Sequence, residues 1–231
     1  MHKKIGILGG LSPESTVSYY EYITRTYTER FGDYGYPEVI IYSVNFQNYV
    51  DWGDAGEWNS IAQDMINAAR ALEQAGADFG IIAANTMHIA FDEVQAAVKI
   101  PFLHLVDATA EAIKAKGFSN VGLLGTKFTM NEPFYRERLS AKRINAIVPE
   151  ASDREEVDRV IYEELVRGRI LDESRKRFVE IISGLSQSGA EGVILGCTEI
   201  PLLVSEKDSS LPLFDTTTIH AQKALEYAIS G

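Results

Sequence analysis

The chain matches itself in three places, in the same order. Gly76–Asn85 (GADFGIIAAN) aligns without a gap on Gly189–Thr198 (GAEGVILGCT). Ile5–Gly10 (IGILGG) aligns on Val121–Thr126 (VGLLGT), and Ile100–Leu103 (IPFL) on Leu211–Phe214 (LPLF). Each matched segment holds a short apolar run that ends in glycine or a small residue, the signature of a parallel strand buried on both faces. Eight such runs are predicted strands: Ile5–Leu8, Val39–Val44, Phe79–Ala83, Phe102–Leu105, Val121–Leu124, Ile144–Val148, Val193–Leu195 and Leu213–Phe214. Helical patterns fall between them. Ser60–Ala75 has apolar residues at 61, 65, 68, 69 and 72 and stops at Gly76. Val157–Val166, Phe178–Leu185 and Ala221–Ile229 carry related patterns. Strand and helix in alternation specify an α/β fold with parallel sheets, and the repeat specifies two related halves. The expected domains are residues 1–106 with 217–231, and 107–216.

Composition narrows the function classes. A formal net charge of −11 disfavours phosphate backbones and anionic lipid, so neither nucleic acid nor a membrane is an expected partner. The only cysteine is Cys197, which excludes a disulfide within the chain and fits a reducing cytoplasm. The apolar run after Lys4 is broken by glycines and Ser12-Pro13, too soon for a signal or spanning segment.

The repeat also has chemical content. Ligands of parallel sheets bind beyond the carboxyl ends of the strands. Cys197 lies just past one strand, and the repeat puts Ala84 at the equivalent place in the other half. If the halves face each other, positions 84 and 197 flank one cleft. Two acid/base groups on opposite sides of Cα are what racemisation needs without a cofactor, and a thiolate accessible near neutral pH suits the task. The developing enolate needs donors aimed at the substrate carboxylate. Asn85-Thr86, Thr198-Glu199, the Gly10-Leu11-Ser12 turn and the Gly125-Thr126 turn are the candidates.

These segments together (GILGGLSPEST, AANTMH, FLHLVDATA, GLLGTKFTM, GVILGCTEIPLL and FDTTTIHA) resemble the aspartate/glutamate racemase family along nearly the whole chain. The resemblance implies two flavodoxin-like domains with the active site between them, no pyridoxal phosphate or metal, and usually a homodimer. It implies that Cys197 is one acid/base, and that Asn85, Thr86, Thr126 and Thr198 hold the α-carboxylate and amino group. The departure is Ala84, where family members carry Cys or sometimes Thr. Alanine neither takes nor gives a proton. Either position 84 has been changed, or this is a natural one-cysteine member. Three functions stay open: a disabled or one-sided racemase, a one-cysteine decarboxylase of the arylmalonate type, and a non-catalytic binder of acidic amino acids.

Other residues have plainer readings. His88 and His104 lack carboxylate or Cys partners at zinc spacing, so hydrogen-bonded structural roles are expected. Gly9-Gly10 lacks the dinucleotide spacing. Asp107 and Asp215 read as helix N-caps. Glu199 reads equally as a group orienting Cys197 or the substrate ammonium and as an acid favoured by a helix start. Tyr19, Tyr20, Tyr22 and Tyr27 have partly helical spacing, and read as core or dimer contact. Trp52 and Trp58 read as loop residues, either a lid or surface anchors. Arg167, Arg169 and Lys127 are the cations available to meet a side-chain carboxylate.

Overall fold

The computed structural model describes residues 2–230. It divides into two compact units, Met1–Leu105 with His220–Gly231, and Val106–Ile219. Up to residue 105 the order is β1 (Ile5–Gly9), α1 (Pro13–Phe31), β2 (Val39–Ser43), α2 (Phe46–Ala55), α3 (Trp58–Gln74), β3 (Phe79–Ile82), a 3-10 turn (Thr86–Ala90), α4 (Phe91–Ala96) and β4 (Phe102–Leu103). Then follow α5 (Leu105–Ala115), β5 (Asn120–Gly125), α6 (Lys127–Asn131), α7 (Pro133–Ala141), β6 (Asn145–Ile147) and α8 (Ala151–Glu163). A 3-10 turn (Leu165–Arg167), α9 (Asp172–Gln187), β7 (Gly192–Gly196), α10 (Ile200–Leu203), β8 (Leu213–Asp215) and α11 (Thr216–Ile229) complete the chain.

The two sheets have the same topology. One runs β2-β1-β3-β4 and the other β6-β5-β7-β8, all parallel. Matched residues make matched contacts. Gly76 and Gly189 end helices at φ 91° and 93°, a left-handed conformation that a Cβ disfavours. Asp78 accepts the backbone N–H of Lys4 (2.6 Å), and its counterpart Glu191 accepts those of Ser119 and Asn120 (2.7 and 2.8 Å). Those amides hold the Glu191 carboxyl below its usual range. The Gly80 and Val193 amides donate to Pro101 and Pro212, each at 2.9 Å.

Each sheet face has its own core. In the first unit, Leu8 and Ile82 pack under α3 with Ile61, Met65 and Leu72. On the other face Ile5, Ile7, Phe79 and Ile81 pack with Tyr19 and Ile23 of α1 and with Ala221, Ala224 and Leu225 of α11. The alternation along β1 is the period-2 pattern of a strand covered on both sides. In the second unit Leu124, Val193 and Leu195 pack with Val157 and Val160 of α8 and Phe178 and Ile182 of α9. Each Ile or Leu so buried stabilises the fold by about 1.5–3 kcal/mol.

Four sequence expectations change. Trp52 and Trp58 are not in a loop: Trp52 is in α2 and Trp58 opens α3, and both pack against the first core. Polar neighbours hid α2, and α3 begins two residues before the predicted start at Ser60. Asp107 is no N-cap, because α5 starts at Leu105; its carboxylate pairs with Arg138 (2.7 Å) and Lys142 (3.4 Å), whose charges hold it below the usual range against the effect of burial. β4 stops at Leu103, because the Leu105 amide donates to His88 Nε2 (3.2 Å) rather than to a strand. The predicted helix through Val166 breaks at Glu164, which turns into the 3-10 segment. There the buried Glu164 carboxylate accepts from Ser174 and Arg159 (2.5 and 2.9 Å).

Inside the first unit, His220 joins α11 to β4 and α1. Its Nε2 lies 2.9 Å from the Leu103 carbonyl, which only accepts, so Nε2 carries the proton. Nδ1 then accepts from the Tyr19 hydroxyl at 2.8 Å. Burial lowers its pKa from 6.5 to about 4. Between those values the unfolded chain binds a proton that the folded chain refuses. Stability is therefore expected to fall by about 3 kcal/mol as pH drops from 6.5 to 4. Urea unfolding across that range, with His220→Gln as reference, measures it; equal pH slopes for the two proteins would refute the assignment.

Candidate active site

Within the first unit, the turn after β1 is shaped by Gly10. It sits at φ 82°, and a Cβ there would lie 2.6 Å from the backbone N and O of Val44. Its amide donates to Thr16 Oγ1 (2.8 Å). Leu11 is buried in the core below. Ser12 caps α1 by accepting from the Ser15 amide (3.3 Å), with Pro13 at the first helical position. Ser15 Oγ donates to the Ala83 carbonyl (2.7 Å), which ties this turn to the end of β3.

Ala84, Asn85 and Thr86 follow β3, and Ala84 and Asn85 are buried. His88 fastens this turn. Its Nε2 accepts from the Leu105 amide, so Nδ1 carries the proton and donates to the Ala84 carbonyl at 2.7 Å. Across a trans peptide the Asn85 N–H then points away from His88. The ring stacks on Phe91 (5.7 Å) and contacts His104 (4.6 Å). Among the described residues, no group of three or more His, Cys, Asp or Glu is placed to hold a metal.

Within the second unit, Thr126 caps α6 by accepting from the Thr129 amide (3.3 Å), and the Lys127 amide donates to Asp158 (2.7 Å). Past β7, Cys197 is as buried as Ala84, each 8% exposed. Its Sγ donates to Glu199 Oε2 at 2.9 Å, and Thr198 Oγ1 donates to the same oxygen at 2.6 Å. Burial first, and then the Glu199 charge, push the thiol well above its ordinary pKa. This corrects the expectation of a thiolate accessible near neutral pH: no helix of useful length offsets the carboxylate, since α10 has four residues. The resting group is a thiol.

Sequence reasoning missed several supports. Ser15 and Asp158 act through backbone groups, which no side-chain motif records. Thr217 lies in the first turn of α11, two residues past the end of β8, and its hydroxyl is buried without a hydrogen-bond partner. Asp215 caps α11 as expected, accepting from the Thr217 and Thr218 amides (3.0 and 3.2 Å). The candidate cations Lys127, Arg167 and Arg169 are all exposed.

A buried thiol held by a carboxylate, at the end of a parallel strand and among capped turns, defines a class: α/β proteins equipped for acid–base chemistry on a small molecule. The chain belongs to the Asp/Glu/Hydantoin racemase family, whose model matches residues 8–224. It is 44% identical to a candidate Asp/Glu racemase from Yersinia pestis, with a TM-score of 0.92 over 98% of this chain and 99% of that one. It is 43% identical to an aspartate racemase homologue from Pyrococcus horikoshii OT3, with a TM-score of 0.86 over the same shares. The broad specificity amino-acid racemase RacX of Bacillus subtilis (strain 168) is 25% identical over 224 residues, 96% of each chain. No helix among the described residues is long and apolar enough to cross a membrane.

Proposed function

We propose that this chain is a cytoplasmic, homodimeric enzyme of the racemase lineage that binds aspartate or glutamate and moves the Cα proton from one side only, through Cys197. The observation that carries this reading is the contact of Cys197 Sγ with the buried Glu199 carboxylate (2.9 Å), in a position whose counterpart is Ala84.

In this mechanism the S–H proton passes to Glu199, leaving a thiolate. The thiolate takes the Cα proton, and the C–H electron pair moves into the substrate carboxylate to give an enediolate. Donors from Asn85, Thr86, Thr126 and Thr198, with the Leu11 and Ser12 amides of the turn that Gly10 shapes, stabilise that charge. A racemase then delivers a proton from the opposite face, and Ala84 has none to give. The proton returns from Cys197 with retention.

In deuterium oxide, one enantiomer of aspartate or glutamate should lose its Cα–H signal by proton NMR without change of configuration. Equal exchange from both enantiomers would sink the one-sided reading. So would no exchange with binding shown by calorimetry, the result expected of a pure binder. Release of carbon dioxide from a substituted malonate would instead favour a decarboxylase.

A further inference from the structure

We infer that the second unit carries a binding site for a small phosphorylated metabolite, formed by one face of α7 and the amino ends of β5 and β6. The inference goes beyond the proposed function and does not depend on the chemistry of Cys197. Asn120 stands one step before the Val121↔Gly192 pair, and Cys197 lies past the other end of β7, so the two places are about 20 Å apart along the strands.

Arg136, Ser140 and Arg143 follow at i, i+4 and i+7, which sets them on one face of α7 and its closing turn. With Ser119, Asn120 and Asn145 they line an open cavity of about 510 Å³, and no carboxylate lines it. Glu191 reaches Ser119 from outside the lining, and its Oε2 is engaged by the Ser119 and Asn120 amides. The other two cations of this helix end, Arg138 and Lys142, are tied to Asp107. Arg136 meets only a backbone carbonyl, that of Asn131 (3.1 Å). The Arg143 side chain has no hydrogen-bond or ion-pair partner among the described residues. The chain has a net charge of −11, yet residues 114–145 hold seven lysines and arginines against two glutamates. A groove lined by one sign of charge draws in the other.

The backbone at Arg143 is the second observation. Among the described residues it is the one non-glycine at positive φ, 61°. It closes α7 in a turn where the Ile144 amide donates to the Leu139 carbonyl (3.0 Å) and the Arg143 amide to that of Ser140 (2.8 Å). Five other segments close by the same pair of bonds, and Gly56, Gly76, Gly117, Gly168 and Gly189 hold the left-handed position there. A Cβ disfavours that conformation. Arg143 is exposed, so packing does not offset the strain. The strain holds a guanidinium at the cavity wall.

The first half of the chain is an internal control. In the matched register Lys4 stands where Asn120 stands, and Glu38 where Asn145 stands. Lys4 and Glu38 neutralise each other at 3.0 Å. In the second half Asn145 Nδ2 instead donates to Asn120 Oδ1 (3.2 Å). Each of those amides keeps a second N–H, and neither adds a negative charge.

Size and donor type select the ligand. A phosphomonoester carries about −1.5 to −2 charge and three acceptor oxygens, which suits two arginines and a serine better than a carboxylate with two oxygens does. The cavity has the volume of a small-molecule site, more than phosphate alone fills. The two asparagine amides and Ile144 then face a small hydroxylated carbon body.

Nitrogen-15 NMR of the full chain in phosphate-free buffer tests this with ribose 5-phosphate, inorganic phosphate, ribose and succinate as probes. Ribose 5-phosphate should shift the amides of Ser119, Asn120, Ser140, Arg143 and Asn145 saturably, and bind at least about 10-fold more tightly than the other three. Arg136→Gln and Arg143→Gln should each weaken it by about 10-fold or more. Arg143→Gly should do the same while raising the melting temperature, because it relieves the left-handed strain; an arginine that only closed the helix would not link those two results. Arg70→Gln, in α3 of the first unit, should change neither. No saturation by about 10 mM, or shifts that map away from this cavity, overturns the inference. So does ribose, succinate or inorganic phosphate binding as tightly as ribose 5-phosphate, or undiminished affinity in both arginine-to-glutamine variants.

Discussion

Ala84→Cys is expected to convert one-sided proton exchange into racemisation, raising the rate of enantiomer interconversion by about 10²–10⁴-fold, the contribution of one positioned acid/base group. The argument starts from registration. Positions 84 and 197 are the last but one of matched segments, follow strands of the same rank in sheets of the same order, and are equally buried. His88 already holds the Ala84 carbonyl, so a thiol there would sit on a fixed backbone. Ala84 packs in the core cluster with Leu8 and Ile82, and the added sulfur is expected to cost about 1–3 kcal/mol of stability at most. Chiral chromatography of aspartate and glutamate reads the interconversion, and calorimetry reads binding. Ala84→Ser is the control, because a hydroxyl holds its proton too tightly to serve as the base. A folded, ligand-binding Ala84→Cys protein that interconverts no faster than the parent would show that positions 84 and 197 do not act on one Cα.

What could be read in advance depended on how directly a structural fact is written along the chain. The eight strands were legible because a strand buried on both faces leaves an unbroken apolar run, and the repeat supplied their order. α2 was not, because in NFQNYVDWGDA only Tyr49 is fully buried, too little to show a period. The counterpart of Cys197 was legible from the ungapped match alone. Glu199 was legible as two level readings, a group orienting Cys197 or the substrate ammonium and a helix start. It stands at the N-cap position of α10 and also accepts the Cys197 S–H, because the chain turns sharply between β7 and α10. With four residues, α10 carries little dipole to favour an acid there. The His88 bridge from Ala84 to Leu105 was invisible for another reason: both of its partners are backbone groups, and backbone partners leave no residue signature.

Glu199→Gln should move two observables in opposite directions. Glu199 raises the Cys197 thiol in two ways, by its charge and by accepting the S–H proton. With glutamine both effects vanish, while burial still opposes the thiolate. The thiolate should therefore appear at lower pH than in the parent. Cys197 is the sole cysteine, so its rate of alkylation by iodoacetamide against pH, read by mass spectrometry of the Cys197 peptide, reports that group and no other. Cα exchange should nevertheless fall by about 10²-fold or more, because the acceptor that takes the S–H proton as the thiolate forms is gone. A Glu199 that merely shaped the turn would not give this pair of results: its loss would lower exchange by loosening the site, with no systematic downward shift of the thiol. Cys197→Ser fixes the floor, since the oxygen keeps the hydrogen bond to Glu199 but not the acidity, and exchange should then be undetectable. If Glu199→Gln keeps the parent's exchange rate, the carboxylate is not the proton acceptor, and the path must run from sulfur directly to solvent.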